Sequence, residues 1–178
     1  MSGLSVRHVE TRPWRDPLAV AAGVNRRAGA LALLAGAGDA RAHGGRWSFV
    51  ACEPDQTFVG RADDGALFQR LREPVYADGG VVGLMSYDAG ARPATGERGG
   101  GWPDLMLARY PALLAFDHQD RQVRAIGRGA DVDAARLEAQ RAAAWLETAA
   151  STDTPAPPCD SVIEEGSGAA YEAAVADV

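Results

Sequence analysis

The chain has 178 residues, the length of one domain or one and a half, of which 47% are hydrophobic and 24% charged, enough to bury a core. A formal charge of -6 with scattered arginines argues against a polyanionic partner such as nucleic acid. No apolar run reaches the roughly 18 residues of a membrane helix, and the opening MSGLSVRHVETRPW lacks a signal peptide's apolar stretch, so the expected compartment is the cytoplasm.

The first helix signal is Asp16-Pro17, a capping residue followed by a residue suited to the first turn. It predicts a helix over 17–27 with Leu18, Ala21, Ala22 and Val24 facing inward. The apolar run 30–34 reads as a buried strand, and 36–45 as a loop of small residues. The stretch GGRWSFVACEP, residues 44–54, alternates large and small side chains and reads as a half-buried strand entered through a flexible corner. A further extended run, 57–61, meets the turn Asp63-Asp64-Gly65; residues 66–72 either return as a hairpin strand or form a short helix.

GGVVGLMSY, 79–87, is a strongly apolar strand whose glycines suggest close approach of another backbone. Residues 89–103 form a Gly-, Arg- and Pro-rich loop, and 105–110 fit neither template clearly. Residues 112–116 pair with 122–126 across the polar turn 117–120. The strongest helix spans 131–148, with Val132, Ala135, Ala139, Ala142 and Leu146 on one face, Trp145 beside them, and Asp131 or Asp133 as cap. A linker follows over 151–158, and 169–178 starts a new helical pattern through Tyr171, Ala174, Val175 and Val178. Local hairpins outnumber helices, so the expected class is α+β: a mainly antiparallel sheet with flanking helices.

Few residues carry an obvious chemistry. The sequence has no lysine, so a lysine adduct is impossible. Cys52 and Cys159 read as buried or idle thiols, and His8, His43 and His118 stand apart without metal-ligand spacing. The glycines 79, 80 and 83 lack a P-loop's ending, GERGGGW reads as a flexible loop, and no GxSxG elbow supports Ser48 or Ser86 as a nucleophile beside His43 or His118. Asp63-Asp64 and Glu164-Glu165 read as solvated surface, and Tyr87-Asp88 as a strand end and turn. The best local candidate is Arg46-Trp47. A guanidinium can grip a carboxylate with two parallel hydrogen bonds and an indole can wall an aromatic ring, while the plain alternative is a surface arginine beside a core tryptophan.

Taken in order, LALLAG, GGRWSFVACEP, GGVVGLMSYDAG and WPDLMLARYPALLAFDH resemble the N-terminal half of the chorismate-utilising enzymes, component I of anthranilate synthase and of aminodeoxychorismate synthase. SYDAG, the following Arg92 and LLAFDH look closest to the aminodeoxychorismate branch. The resemblance runs from Leu31 through Trp145, and AAYEAAVADV looks like the first helix of the catalytic domain. It implies an α+β sandwich, with residues 1–150 as the N-terminal region, 151–168 as linker and 169–178 as the start of the catalytic domain. It also implies conversion of chorismate to 4-amino-4-deoxychorismate for 4-aminobenzoate and folate synthesis, with Mg2+ and with ammonia from a glutamine amidotransferase partner. The alternatives are the anthranilate branch of tryptophan synthesis and a free-standing binding or interaction module.

The resemblance further implies an aromatic amino-acid pocket at Gly36, Gly44, Gly45, Arg46 and Trp47. Two departures qualify it. Leu33-Leu34-Ala35-Gly36 lacks the family's serine after the leucine pair, a lost hydrogen bond worth about 1 kcal/mol or more. The family's catalytic groups and magnesium carboxylates lie beyond this stretch, so the expectation is that these 178 residues supply no catalytic or metal-binding residue and do not turn over chorismate alone.

Overall fold

A computed structural model of the chain describes residues 6–25, 32–34, 36, 45–61, 66, 69, 81–87, 103–149 and 167–176. In chain order the elements are β1 (Val6–Pro13), α1 (Pro17–Val24), β2 (Ala32–Leu34), β3 (Trp47–Ala51), β4 (Gln56–Gly60), β5 (Val82–Met85), β6 (Leu105–Arg109), β7 (Ala112–Asp117), β8 (Gln122–Gly129), α2 (Val132–Trp145) and α3 (Gly168–Ala176). A single 3-10 turn, Leu146–Thr148, extends α2. The fold is α+β. Five strands in the order β1-β8-β7-β3-β2 form one sheet, three in the order β4-β6-β5 form another, and every described pairing is antiparallel.

The β7–β8 hairpin is the one the sequence predicts, paired from Ala112↔Gly127 to Asp117↔Gln122. Its alternation puts Ala112, Leu114 and Phe116 with Val123 and Ala125 on one face, all buried. Helix α2 lies on that face through Ala135, Ala139, Ala142 and Trp145, the spacing of one helical stripe. Three of those four are alanines, so the helix comes down close to the strand. A Cβ on Gly127 would stand 2.1 Å from both the Ala135 carbonyl oxygen and the Ala139 nitrogen. Only a residue without a side chain fits there. Of the two candidate caps, Asp131 is the one used: its Oδ1 accepts from Ala134 N–H at 2.8 Å, while Asp133 pairs with Arg136. Val132, expected to face inward, is exposed, because the first turn precedes the contact with Gly127.

Helix α1 starts as expected, with Asp16 Oδ1 accepting from Ala19 N–H at 2.9 Å and Pro17 in the first turn. Its buried residues are Pro17, Ala19, Val20, Ala21 and Val24, so Leu18 and Ala22 point outward, against expectation. The physical reason is Gly23. A Cβ at that position would lie 1.8 Å from the Thr148 carbonyl oxygen, so the helix must turn its glycine towards the end of α2, and this sets its rotation.

The chain leaves the large sheet after β3 and re-enters it at β7, and both crossings are pinned together. Arg109 donates to Asp55 through Nε and Nη2 at 2.9 and 2.7 Å, and Asp55 N–H donates to the Arg109 carbonyl at 3.1 Å. The ambiguous run 105–109 proves to be the central strand of the small sheet, with β4 on one side and β5 on the other. Ala108 and Val82 on one face of that sheet meet Ala51, Tyr110 and Leu113, while Phe58, Leu105, Leu107 and Val81 gather on the other. The expected return of 66–72 and the linker 151–158 lie almost wholly outside the described residues, as does Cys159; Cys52 is a buried thiol. Among the described residues no helix is long and apolar enough to cross a membrane.

Gly127→Ala is expected to lower stability by about 1–3 kcal/mol, because its Cβ meets backbone that cannot rotate away. Urea unfolding would show a lower midpoint at an unchanged slope.

Candidate functional site

Strands β2 and β3 pair from Ala32↔Ala51 to Leu34↔Phe49, which carries the end of the leucine run back to the start of the Arg-Trp strand. The loop between them closes at Gly36. Its N–H donates to Ser48 Oγ at 2.9 Å. A Cβ at 36 would stand 2.6 Å from the Trp47 carbonyl oxygen and 2.8 Å from that of Gly45. Glycine at this position therefore follows from backbone packed on backbone, and a serine in the same place would collide before its hydroxyl could reach a ligand. Gly45 is buried in this contact, and Gly44 lies outside the described residues.

Arg46 occupies the bend before β3 and points at the β7–β8 turn. Its Nε donates to Asp117 Oδ1 at 3.0 Å and its Nη2 to Asp117 Oδ2 at 2.6 Å, with a third contact to Asp120 Oδ2 at 3.1 Å. Asp117 is fully buried. Its Oδ1 also accepts from the N–H groups of Gln119 and Asp120, at 3.2 and 3.3 Å, so it ties the turn as well as the arginine. The Arg46 hydrogen bonds hold the Asp117 carboxyl down at about 2, against a burial penalty that acts the other way. The Arg46 guanidinium is raised, first by the same hydrogen bond.

Trp47, opposite Asp117 in the register, is half-buried and lies between two cations. The Arg46 guanidinium carbon is 5.3 Å and that of Arg124 4.9 Å from the ring centroid, and Phe49 stacks beside it at 6.4 Å. The expected Arg-Trp pair is thus a real unit. Two of its donors, however, already grip a carboxylate of the same chain.

The residues that sequence reasoning set aside complete the constellation. Ser48 Oγ lies 2.7 Å from His118 Nε2, and His118 N–H donates to the Arg46 carbonyl at 2.9 Å. Trp14 packs edge-on against His118 at 5.1 Å and against Phe116 at 6.1 Å, and Arg121 sits over the Trp14 ring at 4.1 Å. A serine beside a histidine is the beginning of a nucleophilic pair, but this hydroxyl is wholly buried and already accepts the Gly36 N–H. We assign its proton to His118 Nε2, which makes the histidine the Nδ1–H tautomer. Ser48 is a bracket holding the loop, the strand and the turn together. The signal in the sequence was the Ser-after-Trp and His-after-Asp order on two strands that prove to be neighbours. Tyr87, 87% exposed in the turn after β5, takes no part, and Asp88, Arg92 and His43 lie outside the described residues. Among the described residues no three His, Cys, Asp or Glu side chains converge as metal ligands.

No family model matches the chain, and no curated protein matches it either.

Because folded Asp117 titrates below its ordinary 3.8, its charge contributes stability that is complete above about pH 4 and is lost as the pH falls through about 2. Asp117→Asn should destabilise the protein by about 2 kcal/mol or more at neutral pH, by leaving the arginine without its counter-charge. The same change should flatten the acid limb of a stability-versus-pH curve measured by urea unfolding.

Proposed function

We propose that this chain is the N-terminal region of an aminodeoxychorismate synthase component I-like protein, and that it serves as a binding and scaffold portion. The complete enzyme would convert chorismate and glutamine-derived ammonia to 4-amino-4-deoxychorismate for 4-aminobenzoate synthesis. On this reading the reacting groups and the Mg2+ belong to a catalytic portion, and the ammonia comes from an amidotransferase subunit or domain. The described side chains do not suit the metal. The carboxylates of Asp117 and Asp120 are both held by Arg46, whose positive charge opposes a cation at the same oxygens.

The observation that supports the reading is the meeting of the two separate motifs. Leu33–Gly36 and Gly45–Ser48, which carry the resemblance, come together through the Gly36 N–H and Ser48 Oγ at one end of the large sheet. Beside that meeting point stand an arginine and a half-buried indole, the chemistry suited to an aromatic amino acid: ring against ring, carboxylate towards guanidinium. The proposed role in this portion is to bind such a ligand and to set the geometry of the sheet, while turnover requires the other portion.

Calorimetric titration with tryptophan tests the reading directly. Saturable heat at or below millimolar ligand is expected, with affinity reduced about tenfold or more in Trp47→Ala, whose side chain is outside the core. An absence of heat at millimolar tryptophan, with circular dichroism showing a folded chain, would remove the pocket. Robust conversion of chorismate by the purified chain with ammonia and Mg2+ would remove the division of labour.

A further inference from the structure

Two guanidinium groups face the indole of Trp47, and they are not equivalent. Arg46 commits Nε and Nη2 to Asp117, and Nη2 also to Asp120, so two carboxylates of the chain already balance its single charge. A ligand carboxylate brought to Arg46 would enter the negative field of both. Arg124 stands in a different position. It is exposed, and its side chain makes neither a hydrogen bond nor an ion pair among the described residues. Its guanidinium carbon lies 4.9 Å from the Trp47 ring centroid, closer than the 5.3 Å of Arg46.

The strand register explains why the donors of Arg124 stay uncommitted. Its partners across the sheet are Ala115 on β7 and Thr11 on β1, and neither carries a charge. Of its diagonal neighbours only Asp117 is charged, and the Asp117 oxygens are taken by Arg46 and by the N–H groups of Gln119 and Asp120. Trp47 stands two strands away, about 10 Å in the hydrogen-bonding direction, and the arginine reaches it across Ala115, whose side chain is a single methyl group. The small sheet meets this face at Ala51 and Leu113. Trp47 lies four residues along β3 from Ala51, beyond that contact, and Phe49 beside it is 37% exposed. A guanidinium held over a ring presents its N–H groups at its rim, where they can fork around a carboxylate.

We propose that Arg124 anchors the carboxylate of the ligand at this site, while Arg46, already balanced by Asp117 and Asp120, holds the corner in shape. The ligand class is then an aromatic acid, with its ring against Trp47 and Phe49 and its carboxylate gripped by Arg124. An aromatic amine or amide of the same shape leaves that guanidinium unpaired and is discriminated against. The inference rests on the aromatic amino-acid pocket proposed above, and adds which of the two cations reads the acid group.

Titration of the full 178-residue chain with tryptophan and with tryptophanamide, which has no carboxylate, tests it; calorimetry reads tight binding and ligand-observed NMR reads weak binding. The unaltered chain should bind tryptophan about tenfold or more tightly than the amide. Arg124→Gln, at an exposed position, should weaken tryptophan about tenfold or more, leave the amide no weaker and so erase the preference, and Arg124→Lys should retain part of it. Circular dichroism melts establish that each variant is folded. An arginine that only shapes the site would weaken both ligands alike, and that result overturns the proposal. So does an Arg124→Gln chain that still prefers tryptophan, or an unaltered chain that binds the two ligands equally. In each of these cases the pocket stands and the anchor falls. No binding of tryptophan by the unaltered, folded chain removes the pocket and the anchor together.

Discussion

A carboxylate taken out of water must find its counter-charge inside the protein, and the buried Asp117 organises its surroundings on that condition. It lies at the end of β7, opposite Trp47 of β3, and its oxygens receive Arg46 from one strand and two N–H groups from the turn into β8. Two stretches 71 residues apart in sequence are thereby held at one corner. Ser48 and His118 reinforce it from the other face of the same strands, and the Gly36 N–H fastens the β2–β3 loop to it. The corner is stiff because Asp117, Ser48 and two nitrogens of Arg46 are each held by a partner.

That stiffness decides what the candidate site can do. The Ser48 hydroxyl is buried and engaged, so it holds geometry and attacks nothing. Arg46 is anchored through Nε and Nη2, which orients the guanidinium against the indole of Trp47. An oriented cation beside a half-buried aromatic ring is equipment for binding, and a bound ligand would meet a surface already organised, with little ordering entropy left to lose. Elsewhere Asp16 and Asp131 cap helices, and Asp55 clasps Arg109 where the chain passes between the two sheets.

The two faces of the large sheet follow opposite rules. One is sealed by a helix whose alanines, set over Gly127, bring backbone against backbone. The other meets the small sheet at Ala51 and Leu113, and beyond that contact it leaves Val9, Leu34 and Phe49 partly exposed.

Much of the fold was legible before any coordinates. The β7–β8 hairpin, the β3 strand, α2 with its alanine stripe, and both capping aspartates follow from periodicity and local hydrogen bonding, which act within a few residues. Strand β1 was not legible: VRHVETRP is an edge strand with only two valines, and its register is set by β8, far along the chain. The rotation of α1 was misjudged for a similar reason, because Gly23 must face Thr148, a contact no local pattern reveals. At the candidate site, the sequence by itself determined that an arginine and a tryptophan begin a strand and that Gly36 stands where a serine was expected. Only the tertiary structure decided that Asp117 claims the arginine, that Ser48 meets His118, and that backbone contact forbids a side chain at 36. Such pairings depend on which strands become neighbours, and that is settled by burial across the whole sheet, beyond the reach of local spacing.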